Sequence, residues 1–419
     1  MTEDKPQAPA AVAAIAQPGA GPLAGIKVLD MTTVLFGPYA TMLLGDMGAA
    51  VVKLETLEGD STRSTGPGRN PGMAGVFMNV NRNKRSIAVD LKRAAGKAIA
   101  LELMADTDVF VTNVRRKAVE RLGLGYAEVA STNPGIIYCN AVGYGAGGPY
   151  EDYPAFDDTI QAISGLASFQ GIYAEKPQLV ASAMADKACG LMLALALVAA
   201  IRHRDVSGRG QQVEVPMFET MVSFNLVEHL FGRVFEPPLG DAVYPRVVSK
   251  FRRPYRSRDG YLMVLPYNDG QWQRFFGLIG KPALAADERF VSMAARTRNI
   301  DALYELLDDA IGARSNKEWL EGLRALDIPV VPVKSGAELV DDEHLRAVGF
   351  WRHETHPSEG EILSMQPPIR MSASPLGVSR PAPRLGGDSA DILRDLGYNE
   401  AAVAALVAGG VLRVPGTGD

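Results

Sequence analysis

The chain has 419 residues, of which 47% are hydrophobic and 22% charged, a composition typical of a globular protein with more than one domain. The net charge of −5 argues against nucleic acid as the main partner, because no basic excess is available to neutralise phosphates. Cys139, Cys189 and five histidines show no CxxC or Cys/His metal spacing, which argues against disulfides and a metal site and favours a reducing compartment.

Residues 1–22 are rich in Ala and Pro, and no basic segment followed by an apolar one occurs there. This composition predicts a disordered tail rather than a signal peptide. The longest apolar run, residues 188–201, is shorter than the roughly 20 residues that cross a bilayer. We therefore expect a cytoplasmic protein with no membrane partner.

From residue 26 onward, predicted strands and helices alternate. The predicted strands are IKVLDM, VVKLE, RSIAVDL, VFVTNV and IIYCNAVGYG, and the helices between them are GPYATMLLGDMGA, AAGKAIALELMADT and AVERLGL. This alternation predicts βαβ units and a parallel sheet, and right-handed crossovers would make the domain Rossmann-like.

Residues 245–335 follow a different pattern, with a strand–turn–strand segment (PYRSRDGYLMVLPY) and three helical segments (GQWQRFFGLIG, NIDALYELLDDAIGA and NKEWLEGLRAL). Beyond Pro367 the chain is rich in Pro and Gly and ends in two predicted helices, near residues 389–396 and 400–408. The sequence therefore predicts an α/β protein with these parts: a tail (1–22), the first part of a large domain (23–225), a linker (226–244), a small α+β domain (245–335), a linker and return segment (336–385), and C-terminal helices that complete the large domain (386–419).

One charged pair, Asp186 and Lys187, lies where the small apolar segment VASAMA meets ACGLMLALALVAAI, which is predicted to be a buried helix. Asp is a preferred N-cap residue, so a capping role is sufficient to explain Asp186. A helix N-terminus also stabilises a carboxylate as its anion, and an ionised, partly dry carboxylate can act as a nucleophile. The spacing leaves both roles open.

The segment GYGAGG (143–148) matches G-x-G-x-x-G after a predicted strand, but PYEDYP follows it. No helix then begins where a dinucleotide pyrophosphate needs one, which favours a glycine-rich loop beside another ligand. Basic residues in NRNKRSI (81–87) and NVRRKAVER (113–121) lie at strand ends, where a solvated surface and a phosphate-binding site are the two interpretations. His203 and His229 have no acidic partner in the sequence, so nothing supports a Ser-His-Asp triad.

Several blocks together resemble class III CoA-transferases, and they occur in that family's order from about Pro22 to the C-terminal helices. The blocks are PLAGIKVLDMTTVLFGPYATMLLGDMGAAVVKLE, NVNRNKRSIAVDLK, VTNVRRKAVERLGLGY, GYGAGGPY, MADKACG and SGRGQQVEVPMFET. The resemblance implies a Rossmann-like large domain completed by the C-terminal segment, a smaller domain, and two chains that pass through each other's central holes to form an interlocked homodimer.

The resemblance also implies a chemistry. Asp186 in MADKACG matches the family's nucleophile, which forms a mixed anhydride and then an aspartyl-CoA thioester as CoA moves from an acyl-CoA donor to a carboxylic acid acceptor. Coenzyme A is then a substrate, and no tightly bound cofactor or metal is expected. Backbone N–H groups of the glycine loop, at Gly145 and Gly147, are the hypothetical donors to the tetrahedral oxyanions.

Positions that bind CoA in the family are matched here by a set spread over three blocks: Val34, Lys84, Asn113, Ala118 and Arg121. Other positions depart from formyl-CoA transferase, where Gln, Arg and Lys stand in place of Leu35, Thr56 and Val142. These departures argue against formyl-CoA and oxalate as the natural pair, and Leu35 and Val142 suggest a less polar acyl pocket.

Two alternatives remain. The related α-methylacyl-CoA racemases use a His and an Asp as two bases, but the His of their Gly-His-Asp stretch is matched by Phe156, and a Glu of their small domain is matched by Asn268. The loss of the imidazole removes one base. A catalytically silent CoA- or nucleotide-binding protein is the third hypothesis, and Asp186 and the glycine loop argue against it because a binder requires neither.

Overall fold

The computed structural model describes residues 21–172 and 175–416, so that the tail predicted at 1–22 lies outside the described residues except for its last two. The chain divides into two compact units. The first consists of the residues up to Asp157 together with Met184–Thr220 and the residues from Arg346 onward. The second consists of Asp158–Ala183 and Met221–Leu345.

The first unit is built on a seven-stranded sheet. Its strands are β1 (Lys27–Met31), β2 (Ala50–Glu55), β3 (Lys84–Val89), β4 (Val109–Thr112), β5 (Ile137–Val142), β6 (Gln211–Pro216) and β12 (Leu412–Arg413). Their spatial order is β12-β3-β2-β1-β4-β5-β6, and all neighbouring pairs are parallel except β12–β3. The six parallel strands thus follow the 3-2-1-4-5-6 order of a doubly wound sheet. This confirms the predicted α/β fold with a mainly parallel sheet.

Helices cover both faces of this sheet, which explains why most residues of β1 to β5 are buried. The helices of this unit are α1 (Phe36–Asp46), α2 (Gly75–Val80), α3 (Ala94–Ala105), α4 (Arg116–Arg121), α5 (Tyr126–Thr132), α8 (Met184–Ser207), α16 (Ser389–Asp395) and α17 (Glu400–Ala408). Residues of α3, α4, α5 and α16 share one apolar core with the sheet, centred on Ile87, Ile99 and Phe110. On the other face α1 and α8 pack against each other.

The C-terminal segment returns to this sheet, as its two predicted helices suggested. Leu412 pairs with Val89, so that β12 adds an antiparallel edge strand to β3. The sequence did not indicate this two-residue strand. It also did not indicate the antiparallel hairpin of β10 (Trp351–His356) and β11 (Gly360–Met365), which precedes the return segment.

The second unit contains a three-stranded antiparallel sheet of β7 (Tyr255–Arg256), β8 (Tyr261–Val264) and β9 (Val330–Pro332). Its helices, including three that cross a unit boundary, are α6 (Asp157–Ile163), α7 (Leu166–Gly171), α9 (Met217–His229), α10 (Asp269–Leu278), α11 (Met293–Arg298), α12 (Ile300–Ile311), α13 (Asn316–Ala325), α14 (Gly336–Val340) and α15 (Glu343–Ala347). Trp272, Phe275 and Trp319 are buried in its core. The predicted strand–turn–strand segment and its three following helices are confirmed.

Helix α8 corrects two expectations from the sequence. It begins at Met184, two residues before Asp186, so the N-cap prediction is wrong and Asp186 lies in the first turn. It is buried on one side only, because Leu193 is fully buried whereas Leu191 and Leu195 are 54% and 63% exposed. With 24 residues, it is also longer than the apolar run suggested. Among the described residues it alone has the length and composition of a membrane span, but half of its most apolar window is buried inside the protein, as in core helices of soluble proteins.

Candidate active site

Asp186 lines a cleft of about 510 Å³ at the carboxyl edge of the parallel sheet. Much of the remaining wall comes from the segments that follow three strands: Thr33 and Val34 after β1, Asn113 and Arg116 after β4, and residues 143–144 and 151–156 after β5. Ligands of doubly wound sheets bind at this edge, because loops from several strands converge there. The fold thus explains why residues far apart in the sequence share one cleft.

A second cleft of about 550 Å³ adjoins the first and is lined by Ala118 and Arg121. The two clefts share five lining residues: Thr33, Asn113, Arg115, Lys117 and Asp152. The structure therefore brings Asp186 together with four of the five positions that the resemblance assigned to CoA, namely Val34, Asn113, Ala118 and Arg121.

Asp186 itself is only 7% exposed. Its N–H donates a 2.9 Å hydrogen bond to Oδ1 of Asp157, the first residue of α6. The position of Asp186 in the first turn of a 24-residue helix places it at the positive end of the helix dipole, which favours the ionised carboxylate.

Cys189, one turn further along α8, does not compete with Asp186 as a nucleophile. Burial, followed by the negative charges of Asp186 and Asp157, raises the pKa of the Cys189 thiol to about 12. The reactive thiolate is therefore nearly absent at neutral pH. Burial likewise raises the pKa of Cys139.

The basic segment after β4 is paired with acidic residues. Arg116 donates to Glu214 on β6 and lies 3.5 Å from Glu151, and Lys117 forms an ion pair with Asp152. These pairs are partly exposed, so each contributes little to stability, and a phosphate can replace the carboxylate as the partner.

Carboxylates accept hydrogen bonds from the backbone of the glycine loop. The N–H groups of Gly145, Ala146 and Gly147 each donate a 3.0 Å hydrogen bond, to Glu219, Glu214 and Glu151 respectively. Gly145 and Gly147 do not line the cleft of Asp186, whereas Gly143 and Tyr144 do. No helix begins inside the loop, which agrees with the rejection of a dinucleotide site.

Sequence reasoning did not single out Glu214 and Glu219. The only signal was a carboxylate in a strand and another in the helix that directly follows it, and neither their direction nor their partners could be derived from that.

Lys84 differs from the other predicted CoA residues, because it lies in neither cleft. Its side chain is fully buried, with Nζ 2.9 Å from Oδ2 of Asp30 and within hydrogen-bond distance of Asn81 and the Pro38 carbonyl. Burial, together with the like charge of Lys53, lowers the pKa of Lys84 to about 8, although Asp30 opposes this. The pKa of Asp30 is nevertheless well below its usual range, because two ammonium groups and two hydroxyls outweigh its burial. Both groups are therefore charged at pH 7.

The residues of the racemase alternative also have clear positions. Phe156 lines the cleft and is 65% exposed, and no histidine occurs among the described residues that line this cleft. Asn268 caps α10, where its side chain accepts a hydrogen bond from the N–H of Gln271 within a capping box. Within the described residues, no group of three or more His, Cys, Asp or Glu could hold a metal ion.

Comparisons with known proteins identify similar chains. The model of CoA-transferase family III matches residues 23–389. Succinate–glutarate CoA-transferase of Agrobacterium fabrum is 33% identical over 393 residues, covering 90% of this chain and 96% of the relative. Formyl-CoA:oxalate CoA-transferase of Rhodopseudomonas palustris is 31% identical, covering 94% and 97%. Among solved structures, a CaiB/BaiF family protein from Brucella suis matches with a TM-score of 0.77 and 29% identity, covering 90% of this chain and all of that one.

The position of Lys84 leads to a prediction about stability. Lys84→Met leaves the carboxylate of Asp30 buried beside one ammonium instead of two, and removal of one partner of a buried ion pair costs about 3–5 kcal/mol. We expect this decrease in the free energy of unfolding, measured by urea denaturation. The matched control is Lys92→Met, at an exposed position. Unchanged stability combined with weakened CoA binding would instead make Lys84 a ligand contact.

Proposed function

Because the chain belongs to CoA-transferase family III, we propose that this enzyme moves CoA from an acyl-CoA thioester to a carboxylic acid, with Asp186 as the nucleophile. The position of Asp186 carries the proposal: it is a nearly buried carboxylate in the first turn of a long helix, in a cleft that adjoins the predicted CoA residues. The helix N-terminus favours the ionised carboxylate, and an anion with little water around it is a better nucleophile.

The proposed reaction has two symmetrical halves. An Asp186 oxygen attacks the thioester carbonyl, CoA leaves as the thiolate, and a mixed anhydride remains on Asp186. The thiolate then attacks the Asp186 carbonyl and releases the donor acid, which leaves an aspartyl-CoA thioester. The carboxylate of the acceptor attacks the same carbonyl, expels CoA thiolate and forms a second mixed anhydride with Asp186. The thiolate then attacks the acceptor's carbonyl in this anhydride, which gives the new acyl-CoA and frees the Asp186 carboxylate. Because one thioester is exchanged for another, no ATP is consumed.

Residues around Asp186 assist without reacting. Asp157 accepts the N–H of Asp186 and thereby fixes the first turn of α8. We propose that the N–H groups of Gly145 and Gly147 donate to the oxyanion only after the loop rearranges. In the present structure both groups donate to carboxylates, and these hydrogen bonds must break first.

For CoA itself, we propose contacts with Val34, Asn113, Ala118 and Arg121, which line the two adjoining clefts. The phosphates of CoA would take the place of Asp152 beside Lys117, since a phosphate is an equally suitable partner for an ammonium group. Lys84 is left out of this set, because its ammonium group is enclosed by protein atoms.

Apolar side chains, here called the apolar wall, form one part of the lining of the Asp186 cleft beside its charged and polar residues, and we propose that the acyl group of the substrate lies against them. Phe36, Val142, Phe156 and Met217 line the cleft of Asp186, whereas Leu35 is not among its lining residues. Similar chains are named for succinate with glutarate and for formyl-CoA with oxalate. The apolar wall favours small acids with a hydrocarbon body over formate and oxalate, since burial of methylene groups is favourable.

A racemase is not favoured, because Phe156 stands in the cleft where that reaction needs a second base. A silent CoA-binding protein would bind CoA but would not turn over any pair of donor and acceptor.

Exposed apolar residues on α8 support a homodimer. Leu191, Met192 and Leu195 are exposed and share one face of the helix at spacings of three and four residues. We propose that a second copy of the chain covers this face in an interlocked, cytoplasmic homodimer. Size-exclusion chromatography with light scattering should give twice the 44.8 kDa of one chain. A mass of one chain at micromolar concentration would contradict the dimer.

The contact between Asp157 and Asp186 predicts a positioning effect. Asp157→Ala removes the acceptor of the Asp186 N–H, and displacement of a reacting group by about 1 Å can cost roughly 10²-fold in rate. We expect kcat to fall by this order while KM for acyl-CoA changes little, and Asp157→Asn, which keeps an acceptor oxygen, to restore most of the rate. Asp158→Ala, at the exposed neighbouring position, is the control. An unchanged kcat in Asp157→Ala would refute the positioning role.

The proposed function is tested by Asp186→Ala in steady-state assays with a panel of acyl-CoA donors and carboxylic acids. We expect kcat to fall by at least about 10⁴-fold, as for loss of a nucleophile, with far-UV circular dichroism unchanged. Asp205→Ala changes a carboxylate in the last turns of the same helix and should retain full activity. Turnover by Asp186→Ala at the wild-type rate would overturn the proposal, and CoA binding without turnover of any pair by the wild type would favour the silent binder.

A further inference from the structure

Val34 has a backbone conformation that its side chain disfavours. It lies between β1 and α1, lines the cleft of Asp186, and has a φ of 71°. This left-handed region is open to Gly, but a β-branched residue enters it only when the surrounding structure imposes the conformation. The source of that constraint is visible in the hydrogen bonds of the loop.

Side chains from four other positions hold the backbone of Thr32, Thr33 and Val34. These bonds are Thr32 N–H to Asp30 Oδ1 (2.9 Å), Lys53 Nζ to the Thr32 carbonyl (2.7 Å), Thr33 N–H to Asn113 Oδ1 (3.1 Å), Asn113 Nδ2 to the Thr33 carbonyl (2.9 Å), and Val34 N–H to Asp60 Oδ1 (3.2 Å). The N–H groups of all three residues and the carbonyls of the first two are thus hydrogen-bonded, and Asp60 is the partner of the residue with the disfavoured φ.

Asp60 is itself held rigidly. Its Oδ2 lies 3.1 Å from Nζ of Lys53, and neither side chain is exposed. Its Oδ1 also accepts the N–H and the hydroxyl of Thr62, at 2.9 and 2.8 Å. Burial raises the pKa of Asp60, but Lys53 and Thr62 lower it by more, so the carboxylate is ionised at neutral pH. An ionised oxygen is a stronger acceptor for the Val34 N–H than a neutral one.

We propose that Asp60 is a positioning residue of the acyl-CoA site, acting through the N–H of Val34 to keep this residue left-handed in the cleft wall. The inference rests on the proposed function, because it assigns Asp60 to the binding of CoA. Without the bond, Val34 relaxes to an ordinary negative φ, and the wall formed by Thr33 and Val34 changes shape. Asp60 does not line either cleft.

The test is a double-mutant cycle on CoA binding, measured by calorimetry with CoA alone as the probe. Asp60→Ala should raise the Kd for CoA by about 10-fold, within the range expected from one strained residue. With Val34→Gly alone as the reference, the further change Asp60→Ala should raise the Kd much less than in the wild-type background, because Gly adopts a positive φ without an imposed bond. A role of Asp60 confined to stability would not respond to Gly at position 34.

A second variant separates the hydrogen bond from the ion pair. Asp60→Asn keeps an acceptor oxygen for the Val34 N–H but loses the charge that faces Lys53. We expect Asp60→Asn to be less stable in urea than the wild type. Its Kd for CoA should stay within about threefold of the wild-type value, a smaller change than the release of one strained residue would cause. Thr62→Val, which removes another hydrogen bond to Asp60 but leaves the Val34 contact, is the matched control and should bind CoA normally.

The outcomes are distinguishable. If Asp60→Ala binds CoA as tightly as the wild type, or if it weakens binding equally in the wild-type and Val34→Gly backgrounds, the inference is overturned while the proposed function stands. If Asp60→Asn is as weak as Asp60→Ala, the charge and not the Val34 contact matters, which also overturns it. If the wild type does not bind CoA at all, the proposed function falls and this inference falls with it.

Discussion

Opposite charges buried on β1, on β2, at the start of β3 and in the segment after β2 link these parts of the sheet beside the candidate active site. Asp30 pairs with Lys84, and Lys53 with Asp60, in both cases with no exposed side-chain surface. Buried charges of this kind are costly when one partner is lost, because the remaining charge is left without water. Displacement of one charged group would leave its partner buried and unpaired, so the segments that carry these groups have a tightly determined geometry.

A third pair extends the same constraint to the C-terminal segment. Arg63 binds Glu55 through two nitrogens and also donates to the Pro383 carbonyl, and Glu55 accepts a hydrogen bond from Ser86. The return segment is thus hydrogen-bonded, at Pro383, to the residues that follow β2. On the opposite side of this edge, α8 packs against α1 and carries Asp186 into the same cleft. Asp186 and the proposed CoA contacts consequently belong to the same compact unit.

Local patterns predicted much of this fold, whereas pairings between distant residues were beyond them. Apolar runs separated by helical segments identified β1 to β5, because burial on both faces favours that pattern, whereas the more polar β6 was not predicted. The two-residue strand β12 carries too little pattern to be recognised. The sequence placed the start of α8 after Asp186, later than the observed start at Met184, because Asp186 resembles a capping residue.

The site was predicted unevenly for the same reason. Resemblance to a family suggested which positions bind CoA, but it could not show that Lys84 is enclosed with Asp30, 54 residues away, or that Glu219 occupies the N–H of Gly145, 74 residues away. Nor could composition or spacing reveal the left-handed Val34, whose N–H donates a hydrogen bond to Asp60, 26 residues away. Such long-range contacts decide which matched residues face the ligand.

The most direct test of the central claim is peptide mass spectrometry of the enzyme quenched during turnover with an acyl-CoA donor. A covalent acyl or CoA adduct mapped to Asp186, present in the wild type and in Asp205→Ala and absent in Asp186→Ala, is the predicted result. Rapid turnover with no adduct on Asp186, or with the adduct on another residue, would contradict the assignment of Asp186 as the nucleophile.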